Sequence, residues 1–203
     1  MRQIANHSGI VERSHRPATG RATRGAAMSA CFIACIASAG IAAAAEIVAF
    51  GASNTAGLGV ARAQAYPAQL QAMLRAKGIQ VSIANAGISG DTSAGLLRRL
   101  SSAVPQGTRV VILDPGNNDI KACTEPWRPQ RCATPAERAA NIDAISSRLR
   151  GRGINVVMAN IEFESVPIAD WQADRRHLTA EGHRIIASRL APQVEAALAS
   201  TKR

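Results

Sequence analysis

Of the four histidines in this 203-residue chain, only His177 and His183 lie beyond residue 45. Imidazole takes up and returns a proton near neutral pH, so a scarce histidine is a candidate base. Asp174 stands three residues before His177, near enough to reach the same ring and hold its tautomer. Ser53 follows Gly51-Ala52 at the end of an apolar run. A tight turn there exposes a hydroxyl and can offer backbone N–H groups to an oxyanion. Asn118, in Gly116-Asn117-Asn118-Asp119, and the N–H of Gly90, in Asn85–Thr92, could aim at the same oxygen. Nucleophile, base, orienting carboxylate and oxyanion donors are the parts of acyl transfer. Each part has a plainer reading: serine at a strand end as a helix cap, histidine as a core or surface residue, Gly-Asn-Asn-Asp as a turn. His183, inside the last predicted helix, reads as a surface histidine. Glu162 and Glu164 read as solvated loop acids.

Residues this far apart meet only if the chain between them returns repeatedly to one edge. Ile47–Phe50, Val81–Ala84, Val110–Leu113 and Asn155–Ala159 are short apolar runs with the character of buried strands. Tyr66–Lys77 has Leu70, Met73 and Leu74 at helical spacing and stops at Gly78. Thr134-Pro135-Ala136-Glu137 is a capping box that opens a helix through Ile142, Ile145 and Leu149, closed by Gly151. Thr179–Ala199 is a last amphipathic helix. Strands alternating with helices predict one α/β domain over 46–203, a parallel sheet covered on both faces in three layers, α/β/α. In such sheets ligands sit beyond the carboxyl ends of the strands. Ser53, Gly90, Asn118 and the Asp174–His177 pair all fall on that rim.

The charge needs locating before it is interpreted. The chain carries a net charge of +10, and 47% of its residues are apolar, too many for a disordered chain. Five arginines and one glutamate fall in residues 1–45, which leaves +6 for the rest. That basic segment precedes the uncharged stretch Met28–Ala45, which ends in Ala43-Ala44-Ala45. The layout predicts a secretory signal peptide over 1–45, cleaved after Ala45, and a periplasmic or secreted protein; an uncleaved anchor is the alternative. Beyond residue 45 the arginines are scattered, with no run of five like charges, so they read as surface rather than a nucleic-acid footprint. One Tyr, two Trp and three Phe leave little for stacking on bases.

The four blocks around Ser53, Gly90, Asn118 and His177 resemble those of the SGNH hydrolases, also called the GDSL lipase/esterase superfamily. Within it the chain is most similar to the thioesterase I, lysophospholipase and arylesterase group. Tyr66-Pro67-Ala68-Gln69-Leu70, Asn85–Thr92 and the ending Asp174…His177-Leu178-Thr179-Ala180-Glu181-Gly182-His183 carry the likeness, which runs from Ile47 to Val194. The resemblance implies a flavodoxin-like parallel sheet, with Ser53 as nucleophile, His177 as general base and then acid, and Asp174 as its orienting carboxylate. It implies an oxyanion hole from the Ser53 N–H, the Gly90 N–H and the Asn118 amide. No metal or organic cofactor is implied, and the implied partner is a small acyl ester or thioester.

Three departures from the family pattern stand out. Gly-Asp-Ser is Gly51-Ala52-Ser53, and Asp-Gly-x-His-Pro is Asp174-Arg175-Arg176-His177-Leu178. Only Ile161–Ala173 separates the fourth strand from Asp174, where the family fits another helix and a fifth strand. A four-stranded sheet and a shorter wall beside the site are therefore expected. That change makes a catalytically impaired binding domain the alternative to an active esterase, and a carbohydrate O-acyl esterase a further one. Cys123 and Cys132, in the loop after Asn118, could pair in an exported protein, and their spacing matches no metal motif.

Overall fold

The computed structural model describes residues 46–124, 132–161 and 163–200, with backbone only at 121–123 and 163. The expected signal segment, 1–45, lies outside the described residues, as does Glu162. Four parallel strands form the sheet: β1 (Ile47–Gly51), β2 (Ile83–Gly87), β3 (Val110–Asp114) and β4 (Asn155–Met158), in the order β2-β1-β3-β4. Successive residues of β1 and β3 are buried on opposite faces. Ile47, Ala49, Val110 and Ile112 pack with Leu70 and Leu74 of α2 (Tyr66–Ala76) and Ile186, Leu190 and Val194 of α6 (Ala180–Ser200). Val48, Phe50, Val111 and Leu113 pack with Leu96 and Leu100 of α3 (Ser93–Ala103) and Ile145 and Leu149 of α5 (Pro135–Gly151). Strands apolar on both faces must be covered on both, and this gives the three layers. One-turn α1 (Ser53–Ala56) follows β1, and α4 (Asn118–Thr124) follows β3.

The element boundaries show what the apolar pattern missed. β2 begins two residues later than expected and continues through Asn85-Ala86-Gly87, paired Ile47↔Ile83 to Gly51↔Gly87 with β1. Its last residues are small because α1 lies against them: a Cβ on Gly87 would come within 2.2 Å of the Ala56 nitrogen. The capping box forms as read. Thr134 Oγ1 accepts from the Glu137 N–H at 3.1 Å, and Glu137 Oε2 accepts from the Thr134 N–H at 2.8 Å. Gly153, at φ +74°, takes the left-handed turn after α5, whereas Gly151 is still helical.

Between β4 and α6 the described residues hold two short 3₁₀ turns, Phe163–Ser165 and Ile168–Asp170, and one antiparallel bridge, Trp171 to Leu178. Among the described residues no strand pairs with the outer edge of β4. None of the helices there is long and apolar enough to cross a membrane.

Candidate active site

β1 ends in Gly51, and its carboxyl end feeds directly into α1. Ala52 is the N-cap of that helix and Ser53 its first residue, so the serine hydroxyl is not spent on capping. Gly51 is required for the approach, since a Cβ there would lie 2.3 Å from Thr55 Oγ1 and 2.6 Å from the Asp114 carbonyl oxygen. Ser53 is left half-buried at the rim.

His177 reaches it from the far end of the chain. Its Nε2 lies 3.1 Å from Ser53 Oγ, and its Nδ1 lies 2.5 Å from Asp174 Oδ2. The other Asp174 oxygen accepts from the N–H groups of Arg176 at 2.9 Å and His177 at 3.1 Å. Desolvation pushes the Asp174 carboxyl up, but these N–H donors, the His177 ring and its charge outweigh it, and the pKa is held down at about 2. The carboxylate is therefore ionised wherever the imidazole works.

The short segment before His177 is a clasp. The Trp171–Leu178 bridge sets its base, the Gln172 N–H donates to the His177 carbonyl at 2.7 Å, and the Arg175 N–H donates to the Gln172 carbonyl at 2.8 Å. Arg175, at its tip, has φ +52°. Asn54, next to the serine, ties this clasp to α1: its Nδ2 donates to the Arg176 carbonyl at 3.2 Å and its Oδ1 accepts from the Leu178 N–H at 3.1 Å. The Gln172 amide adds bonds to the carbonyls of Leu58 and Leu178, both 2.8 Å. Nothing in the sequence singles out Asn54 except its place beside Ser53.

The two other loops are pinned just as tightly. Asn118 is buried and donates through Nδ2 to the Asp91 carbonyl at 2.8 Å, which joins the Asn118 loop to the Gly90 loop. An amide nitrogen carries two hydrogens, so one remains to aim elsewhere. Gly90 has φ +81°, a conformation that side-chain-bearing residues seldom adopt. Buried Asp119 accepts from the Ser93 N–H and, at 2.8 Å, from the Ser93 hydroxyl. Arg99, read from sequence as one scattered surface charge, is a staple. It pairs with Asp91 at 2.7 Å, donates to the carbonyls of Ala86 and Gly51 at 2.9 and 3.0 Å, and lies 4.4 Å over the Phe50 ring. Its four partners converge because β1 and β2 end side by side, which spacing along the chain does not reveal.

Below the rim runs a buried polar chain. Asp114 accepts from the Thr55 hydroxyl at 3.0 Å, which lies 3.2 Å from the Tyr66 hydroxyl. Burial pushes the Asp114 carboxyl upward, with the Thr55 and Gly116 hydrogen bonds opposing. His183, expected at the surface, is fully buried instead: its Nδ1 accepts from the Tyr66 N–H at 3.2 Å and its ring stacks on Tyr66. Burial, and then the charge of His177, lower its pKa to about 4, so it is neutral at neutral pH. Glu164 is solvent-exposed as expected. Cys132 is disulfide-bonded; the side chain of Cys123 lies outside those described. Among the described residues no three His, Cys, Asp or Glu side chains are grouped to hold a metal ion.

A hollow of about 150 Å³ opens at Ser53, walled by Asn118, Asp114, Trp171, Arg175 and Arg176. Ala52 lines it where the resemblance would place an aspartate, so the carboxyl in this wall is that of Asp114.

The model of the GDSL-like Lipase/Acylhydrolase family matches residues 49–189. Esterase TesA of Pseudomonas aeruginosa is 32% identical over 123 residues, 60% of this chain and 57% of that protein, so the chain spans little more than half of that relative. The crystal structure of AlinE4, an SGNH-hydrolase family esterase, is 30% identical, with a TM-score of 0.50 over 73% of this chain and 71% of that one. A crystal structure of TesA superposes with a TM-score of 0.63 over 74% of this chain and 98% of that one, at 22% identity, a likeness of fold.

Proposed function

Because the chain belongs to the GDSL-like lipase/acylhydrolase family of carboxylic ester hydrolases, we propose that it is an exported serine esterase of short to medium acyl esters or thioesters. The observation that carries the reading is the continuous contact from Asp174 Oδ2 through His177 to Ser53 Oγ, 2.5 and 3.1 Å. Ser53 Oγ attacks the acyl carbon while His177 Nε2 takes its proton. Asp174 stabilises the imidazolium through Nδ1. The carbonyl oxygen, now negative, accepts from the N–H groups of Ser53 and Gly90 and from the Asn118 amide. The intermediate collapses, His177 gives its proton to the leaving oxygen or sulfur, and the acyl group stays on Ser53. Water, deprotonated by the same imidazole, then releases the acid and restores the serine.

Residues 1–45 supply the export signal, and the enzyme works outside the cytoplasm. Ser53→Ala and His177→Ala are each expected to abolish hydrolysis of p-nitrophenyl acetate while leaving the circular dichroism spectrum unchanged. A fluorophosphonate probe should label the wild-type protein and not Ser53→Ala. An unlabelled wild-type protein would favour a binding domain of the same fold, and undiminished turnover in either variant would sink the mechanism.

A further inference from the structure

Beside the Ser53 hollow lies a second of similar volume, about 150 Å³, and the two share Asp114, Gly116, Asn117 and Ile161 in their walls. The second continues past the end of β3 to Arg138, Ile142, Met158 and Asn160. Together they make a trough that leads from Ser53 toward the β4 edge of the sheet.

Two kinds of surface line the second hollow. Ile142, Met158 and Ile161 are apolar. Asn117 and Asn160 are exposed, and among the described residues neither side-chain amide makes a hydrogen bond. Asn160 stands in the left-handed region, φ +47°, where the chain leaves β4. A backbone outlier beside a reactive centre points to a role for the side chain it presents. Arg138 adds a fixed donor group. Its Nη2 donates to the Gly116 carbonyl at 2.7 Å, its Nε lies 3.9 Å from Asp119 Oδ2, and that buried Nε has no hydrogen-bond acceptor.

An amide offers a donor and an acceptor together, as a hydroxyl does, so open amides pair with hydroxyls in either sense. An alkyl chain laid in the same trough displaces water from both amides and returns no hydrogen bond. A sugar or polyol suits both surfaces, its C–H groups against the apolar side chains and its hydroxyls against the amides. The trough also lies on a defined side of the reaction. Trp171, Arg175 and Arg176, in the wall at Ser53, belong to the clasp that carries His177. In the proposed mechanism His177 protonates the leaving oxygen, so the alcohol half of the ester departs on that side.

We propose that the trough is a subsite for a hydroxyl-rich leaving group, so that the preferred substrates are acyl esters of a sugar or polyol, held through the amides of Asn117 and Asn160. The inference rests on the esterase reading and deepens it by naming the alcohol half. The acyl carbon passes to Ser53 Oγ, the polyol leaves with the proton from His177, and water then releases the acid.

The test compares methyl 6-O-acetyl-glucopyranoside with its carbocyclic counterpart, cyclohexylmethyl acetate, which has no hydroxyls. Each kcat/KM, from pH-stat titration, is divided by that ester's own alkaline hydrolysis rate. A hydrogen bond contributes about two- to tenfold, so the full-length protein should prefer the sugar ester by about five- to fiftyfold. Asn117→Ala together with Asn160→Gly should lower that ratio toward one. Both positions are exposed and glycine suits the left-handed backbone of Asn160, so the double variant should keep the wild-type circular dichroism spectrum. A wild-type ratio of one or less, or a ratio that the double variant leaves unchanged, overturns the subsite. A preference for ethyl gluconate over ethyl hexanoate, with none between the two acetates, puts the hydroxyls on the acyl half and overturns the leaving-group assignment. Hydrolysis of p-nitrophenyl acetate with neither ring acetate cleaved also overturns the subsite. Hydrolysis of none of the three overturns the esterase reading itself.

Discussion

Asn118 shows how much a single side chain is asked to do at this site. It fastens the Gly90 loop through the Asp91 carbonyl at 2.8 Å and, in the proposed mechanism, offers its second hydrogen to the developing oxyanion. Asn118→Ala should therefore lower kcat by about 10² to 10³, with a smaller change in KM, as steady-state kinetics on p-nitrophenyl acetate would register. Arg175 is a residue in conflict with its backbone. Left-handed geometry costs a side-chain-bearing residue roughly 1 kcal/mol, so Arg175→Gly should raise the melting temperature by a few degrees. Ser53, Asp174 and His177 could be picked out in the sequence because histidine is scarce beyond residue 45, Asp174 stands three residues before His177, and Ser53 follows the glycine that ends an apolar run. Asn54, Arg99 and His183 could not. Asn54 meets Arg176 across 122 positions, and His183 meets Tyr66 across 117. Nothing local marks an arginine as a staple or a histidine as core.

At the scale of elements, two devices can be tested separately. The Thr134 capping box holds the first turn of α5 by two reciprocal hydrogen bonds, and Thr134→Ala should cost about 1 kcal/mol in urea unfolding. Gly87 matters for packing rather than capping. Adding a methyl group there drives a Cβ into the backbone of α1, so Gly87→Ala should cost about 1–3 kcal/mol and lower turnover as well, because Ser53 begins that helix. A loss of stability with undisturbed kcat would separate the two effects and count against the close coupling of β2 and α1. The same contact explains why β2 was misjudged from sequence. Ala84-Asn85-Ala86-Gly87 is short of apolar bulk because a helix lies on it, whereas β1 and β3 are bulky and were readable to within a residue. Capping chemistry is local and is written in the sequence; the close approach of two backbones is not.

For the molecule as a whole, acid is the informative perturbation. His183 is buried and neutral, with its pKa lowered from 6.5 to about 4. Above pH 6.5 it is neutral folded or unfolded and has no effect. Below that the unfolded chain takes the proton first, so stability falls until the folded ring protonates near pH 4. The expected loss is on the order of 3 kcal/mol, and His183→Gln should flatten the profile over that window. Asp174 acts in a lower window. Its depressed pKa contributes stability above pH 3.8 that disappears as the pH falls toward about 2. Urea midpoints measured from pH 7 to pH 2.5 in the two proteins would separate these windows. The three-layer architecture was legible from the alternation of strands and helices, and the four-stranded sheet was expected from the few residues between β4 and Asp174. How so short a span delivers His177 to Ser53 was not legible, since the clasp combines backbone bonds from Gln172 and Arg175 with side-chain bonds from Asn54 and Gln172 to residues distant in sequence or without any local signal.

Trp171, which donates from Nε1 to the Val166 carbonyl at 3.2 Å and forms part of the wall at Ser53, has an optical consequence. The chain contains two tryptophans, Trp127 and Trp171. A Trp127→Phe protein would have one indole, in the wall of the hollow at Ser53, the residue that carries the acyl group in the proposed mechanism. Its fluorescence would then report formation and decay of the acyl-enzyme directly. Stopped-flow mixing could time both half-reactions on natural esters that release no coloured product.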